Sequence, residues 1–119
     1  MINVKQLQNI YFVSNDVVST ATFYERVFGM KTKFADGERW TQFDVFGRNF
    51  SIGTPEEGVS HQSGAVPVFE IENMTDIEQV VREHGGQVVA QRNMGGHGFV
   101  TTIHDPAGNA VQLFCRNGR

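Results

Sequence analysis

The chain has 119 residues, 10 basic and 13 acidic side chains, a formal net charge of -3, and no run of either sign. That length makes one domain with a real core rather than two independent ones, the lack of a basic stripe argues against nucleic acid, and no apolar stretch approaches the roughly 20 residues of a membrane span. The order Met1-Ile2-Asn3-Val4-Lys5-Gln6 lacks the charged-then-apolar pattern of a secretory signal, and the single Cys115 cannot close an internal disulfide, so a cytoplasmic protein is expected.

In chain order, Ile10-Tyr11-Phe12-Val13 reads as an apolar strand and Asn15-Asp16 as a helix-start signal. A helix is predicted over 17–28, with Ala21, Tyr24, Val27 and Phe28 near three- and four-residue spacing and Gly29 ending it. Strands are predicted over 31–35, 39–46 and 49–53, the last two joined by a Gly47-Arg48 turn. Residues 54–64 form a polar linker.

The pattern then repeats. A strand over 66–71 leads to Asn73 as a cap and to a helix over roughly 74–83, whose buried stripe is Met74, Ile77, Val80 and Val81. Gly85-Gly86 ends that helix, and strands over 87–92, 98–104 and 110–115 follow. Before the last of them, Asp105-Pro106-Ala107-Gly108-Asn109 forms a tight turn that His104 is expected to fasten. His61 and His84 read as surface, and Cys115 as an inert thiol facing the helix.

The order is β-α-β-β-β twice, an α+β fold with module 1 over about 5–54 and module 2 over about 65–116. A four-stranded sheet with one helix leaves its other face uncovered. Setting two such sheets together by their open faces makes a cup-like half-barrel, the default place for a ligand.

On Asn15-Asp16, Thr20-Ala21, Phe23-Tyr24 and Phe28-Gly29 in the first half, and Asn73, Gly85-Gly86 and the 105–109 turn in the second, the chain resembles the vicinal oxygen chelate superfamily. That family includes glyoxalase I, the bleomycin-resistance proteins, the fosfomycin-resistance enzymes and the extradiol dioxygenases. The resemblance covers nearly the whole chain. It implies tandem βαβββ modules and homodimers, some with modules paired across chains. In metal-dependent members it implies one ligand from each of four strands: His on the first strand of each module and Glu, or sometimes His, on the last.

Carried over by register, those positions are Asn9, Ser51 or Gly53, Val66 and Gln112. Divalent first-row metals take imidazole, carboxylate or thiolate donors, which this set lacks. A one-residue slip brings in only Gln8, Ile10, Pro67 and Leu113. The expectation is no tightly bound Zn, Ni, Mn or Fe, and no other cofactor.

Strand alternation puts Asn9, Tyr11 and Val13 on the cup face; Trp40, Gln42 and Asp44 opposite Phe43 and Val45; Val66, Val68 and Glu70 together; and Phe114 beside Gln112. The candidate ligand-binding set is Asn9, Tyr11, Trp40, Gln42, Val66, Val68, Gln112 and Phe114, and the candidate catalytic set is Glu70, His97 and Tyr11. Plainer readings stand beside these. Trp40 either stacks a planar ligand or fills sheet space or an interface. Asn9 and Gln112 either clamp a ligand or bond to each other or to water. Tyr11 reads as core, Glu70 as a solvated carboxylate, and His97, in Asn93-Met94-Gly95-Gly96-His97-Gly98, as an exposed loop histidine or as a group on a lid.

Two functions follow. One is a metal-free homodimer that holds a small aromatic or extended organic molecule. The other is a metal-independent enzyme, lyase- or isomerase-like, moving a proton on a small carbonyl compound. A third and plainer possibility is a collapsed cup on a chain that acts through its dimer surface.

Overall fold

The secondary-structure elements fall into two contiguous halves of the chain. A computed structural model describes Met1 and residues 3–58 and 65–116. Residues 59–64 of the predicted linker, and the assignment of His61, lie outside the described residues. The chain divides into two compact units, Met1–Ser60 and His61–Arg119.

In the first unit β1 (Ile10–Val13) is followed by α1 (Val17–Phe28), β2 (Lys31–Asp36), β3 (Trp40–Val45) and β4 (Arg48–Gly53). The sheet order is β1-β4-β3-β2, with β1 parallel to β4 and the other pairs antiparallel. Helix α1 has the predicted bounds because both ends are satisfied locally. The Asp16 carboxylate accepts the Ser19 N–H at 3.1 Å, and Gly29, at φ 67°, turns the chain out of the helix. The helix buries Val17, Thr20, Ala21, Phe23 and Tyr24. Tyr24 meets Phe50 edge-on at 5.0 Å, and Phe12 and Phe43 pack on the same Phe50 ring at 5.7 and 6.4 Å.

The β3–β4 hairpin closes one residue earlier than predicted, at Phe46-Gly47. Both residues have positive φ (51° and 86°), and the Asp44 carboxylate accepts the Gly47 N–H at 2.7 Å. Such a two-residue turn matches the twist of paired strands. After β4, a short 3-10 turn spans Pro55–Glu57.

The second unit repeats the plan with β5 (Val68–Glu70), α2 (Ile77–Glu83), β6 (Gln87–Asn93), β7 (Phe99–His104) and β8 (Ala110–Cys115), in the order β5-β8-β7-β6. Strand β5 is shorter than predicted. Its flanks still bond to β8: the Gln112 N–H donates to the Pro67 carbonyl at 3.0 Å and the Ile71 N–H to the Phe114 carbonyl at 2.8 Å.

Helix α2 starts at Ile77, not Met74, and its cap is Asp76 rather than Asn73. The Asn73 side chain accepts the Thr75 N–H at 3.0 Å, closing a turn in place of a helix start, and Asp76 sits at φ 59° without a side-chain cap bond. Val81, Ile103, Val111, Leu113 and Cys115 form this unit's core. The Cys115 thiol donates to the Glu72 carbonyl at 3.4 Å, in keeping with an inert buried role.

Two histidine assignments change. Asp105, not His104, fastens the 105–109 turn. Buried at 3 % exposure, its carboxylate accepts the N–H groups of Ala107 and Asn109 at 2.9 and 2.8 Å and the Asn109 side-chain amide at 3.0 Å. His84 is half-buried rather than surface, and its Nδ1 donates to the Val80 carbonyl at 2.9 Å at the end of α2.

Candidate functional site

Each sheet presents its second face away from its helix, and strand register assigns residues to that face. In the first unit Tyr11, Ser51, Gln42 and Phe34 are successive register partners across β1, β4, β3 and β2. The next row is Val13, Gly53, Trp40 and Asp36. In the second unit the matching rows are Val68, Gln112, Thr102 and Ala90, then Glu70, Phe114, Val100 and Arg92.

Contacts on the first face are polar and aromatic. The Ser51 hydroxyl, fully buried, donates to the Asn9 carbonyl oxygen at 3.1 Å. Trp40 donates its indole N–H to the Gln42 carbonyl oxygen at 3.2 Å. The Trp40 ring lies over Gly53, where an added Cβ would come within 2.6 Å of the ring. Tyr11 packs against Trp40 with ring centroids 5.2 Å apart, and its hydroxyl donates to the Glu57 carbonyl. Both aromatics are thus fitted to the sheet and to the 3-10 turn after it.

On the second face the Gln112 amide donates to the Thr102 hydroxyl at 3.2 Å. Phe114 covers Gly98, where an added Cβ would fall 2.7 Å from its ring, and the Arg116 guanidinium lies over the Phe114 ring at 5.3 Å from the centroid. Arg116 also faces Glu70 at 3.6 Å, with both side chains mostly exposed. Val66 and Val68 are exposed. His97 is exposed in a 3-10 turn, Gly95–His97, and among the described residues no hydrogen bond or ion pair joins it to Glu70. At the edge of the first face, the hydrogen bond and charge of Asp36 raise the pKa of the Arg39 guanidinium.

The register decides between Ser51 and Gly53 as the counterpart of Gln112: Ser51 holds the equivalent place in its sheet. The four positions to which the family resemblance assigns metal ligands are therefore Asn9, Ser51, Val66 and Gln112. Their donors do not fit a divalent first-row ion, because neutral amide and hydroxyl oxygens are weak ligands for such a metal, the Asn9 oxygen is bonded to Ser51, and Val66 is apolar. Among the described residues no group of three or more His, Cys, Asp or Glu side chains is placed to hold an ion.

Sequence reasoning missed four residues on these faces: Phe34, the register partner of Gln42; Glu57, whose carbonyl accepts the Tyr11 hydroxyl; Thr102, whose hydroxyl accepts the Gln112 amide; and Arg116, stacked on Phe114. Phe34 reaches this face because a bulge between Thr32 and Phe34 shifts the alternation. No residue in that stretch announces a bulge.

The sequence model of the Glyoxalase/Bleomycin resistance protein/Dioxygenase superfamily matches residues 6–113. Among solved structures, the chain is similar to a glyoxalase-related enzyme from Fulvimarina pelagi, with a TM-score of 0.76, 16% identity and coverage of 94% of this chain and 88% of the other. It is similar to a lactoylglutathione lyase from Agrobacterium tumefaciens, with a TM-score of 0.73, 16% identity and 94% of each chain covered. A fosfomycin resistance protein from Listeria monocytogenes, in an E126Q form complexed with Mn(II) and 1S,2S-dihydroxypropylphosphonic acid, gives a TM-score of 0.76 at 16% identity, covering 98% of this chain and 93% of the other. At such identities these likenesses establish the fold of two βαβββ modules. No curated protein matches the sequence. With its family model spanning nearly the whole chain, the protein belongs to the Glyoxalase/Bleomycin resistance protein/Dioxygenase superfamily.

Proposed function

We propose that this protein binds a small aromatic or extended organic molecule on the helix-free faces of its sheets, without the metal on which much of the family's chemistry depends. One observation carries the reading: the four positions assigned to metal ligands hold two amides, a hydroxyl and a valine, and the polar three are hydrogen-bonded within the protein. What the faces offer instead is aromatic surface and neutral hydrogen-bonding groups, the ordinary makings of a small-molecule site. The protein acts as a homodimer in the cytoplasm, in keeping with the family resemblance and the single buried cysteine.

The same contacts weigh against metal-independent proton transfer. The Tyr11 hydroxyl donates its hydrogen bond to the Glu57 carbonyl, and Glu70 faces Arg116 in an exposed ion pair. Native mass spectrometry of protein purified from its host, paired with elemental analysis, tests the proposal. An organic adduct with only traces of metal is the expected result. Stoichiometric Zn, Ni, Mn or Fe together with turnover of lactoylglutathione would overturn it.

A further inference from the structure

We infer that the first unit's face selects a planar, uncharged ligand bearing a carbonyl oxygen, and that the Gln42 side-chain amide is the donor that reads that oxygen. The inference rests on the binding reading above and adds the chemistry of what is bound.

An indole N–H can only donate, so its bond at 3.2 Å fixes which end of Gln42 faces Trp40. The Gln42 carbonyl oxygen is consumed, and its NH₂ group has no partner among the described residues. Asn9 repeats the pattern. Its oxygen takes the Ser51 hydroxyl at 3.1 Å, and its NH₂ group has no partner among the described residues. Gln42 and Ser51 are register partners on neighbouring strands, so both amides belong to one patch. Their acceptors are turned inward to protein and their donors remain, and a patch of donors recognises an acceptor.

Two neighbours narrow the class. Phe34, the register partner of Gln42 on β2, is 56% exposed and supplies an apolar ring beside the donor, which suits a planar group. Asp36 and Asp44 lie on the same face in the flanking rows, Asp36 held by Arg39 at 3.1 Å and Asp44 by the Gly47 N–H at 2.7 Å. Cations offset these carboxylates, Arg39 at Asp36 and Lys31 as the register partner of Asp44, so the face carries no net charge to attract either an anion or a cation. A neutral aryl ketone or similar carbonyl compound satisfies both conditions.

Acetophenone, benzoate and benzylamine serve as matched probes, differing in the group that would meet Gln42. The readouts are quenching of Trp40, the chain's single tryptophan, and the ¹⁵N–¹H shift of the Gln42 side-chain amide. Acetophenone is expected to quench saturably and to move that amide signal downfield, with the other two binding more weakly. Gln42→Glu keeps an oxygen for the Trp40 N–H but replaces the outward donor with an acceptor, so acetophenone should bind about tenfold more weakly with Trp40 emission unchanged. Equal or tighter binding of benzylamine or benzoate, or undiminished acetophenone binding by Gln42→Glu, would overturn the inference. A retained natural ligand without a carbonyl oxygen would overturn it too while leaving the binding function intact. No binding of any probe and no retained ligand would remove both.

Discussion

The two modules share a register and fill it in opposite ways. Trp40 and Val100 hold equivalent places on their third strands, and Gly53 and Phe114 equivalent places on their fourth. In the first module the large ring is on β3 and lies over a glycine on β4. In the second the large ring is on β8, and the glycine beneath it, Gly98, comes from the loop before β7. Each face therefore carries one aromatic fitted over one glycine, from different strands. Charge is exchanged as well: Asp36 in the first module occupies the place of Arg92 in the second. A duplicated backbone does not impose duplicated chemistry. The first face has a donor-rich patch beside aromatics, and the second an arginine-covered phenylalanine beside exposed valines.

The largest test of this contrast is in the cores. Phe43→Ala should cost about 3–5 kcal/mol and Leu113→Ala about 2–5 kcal/mol, since both side chains are fully buried in the native state. Trp40 reports only on the first module, whereas far-ultraviolet circular dichroism reports on both. If the modules melt independently, Leu113→Ala will lower the dichroism transition and leave the Trp40 transition in place. If they melt as one, both probes will shift together.

Next in size is the glycine pair. Gly98→Ala forces a side chain onto φ 108°, and its Cβ would meet the Cys115 carbonyl oxygen at 2.8 Å, which cannot yield. A loss of about 2–4 kcal/mol is expected in urea denaturation. At Gly53 φ is ordinary and the obstacle is the Trp40 side chain, so Gly53→Ala should cost less, about 1–3 kcal/mol, and shift the Trp40 emission maximum. Equal costs with no emission change would erase the distinction between the two platforms.

The smallest effect separates the helix starts. Asp16→Ala removes a cap bond and should cost about 0.5–2 kcal/mol. Asp76 makes no such bond and sits at positive φ, so Asp76→Gly should be neutral or stabilise by up to about 1 kcal/mol in thermal melts.

What could be read from sequence follows how local each signal is. Helix α1 was legible to the residue because Asp16 and Gly29 act within their own turn. Helix α2 was misplaced by three residues because Asn73 can close a turn as readily as cap a helix. The β-α-β-β-β repeat was legible through alternation, and so was the face shared by Trp40 and Gln42. Phe34 was not, since the bulge that re-aims it follows from pairing with β3. Nor were the bonds of Tyr11 to Glu57 and of Gln112 to Thr102, which depend on chain segments brought together only in the folded protein.

Because each unit draws its strands from one continuous half of the chain, synthesis separates two sets of β-segments that otherwise resemble each other. Strands β1 to β4 can find one another while their counterparts are still being translated, at a time when no rival edge exists to capture them. The order of the polypeptide thus acts as a safeguard against exchange between look-alike hairpins. Circular permutants that interleave the halves would lose that protection and should refold with more misassembled product than the natural order.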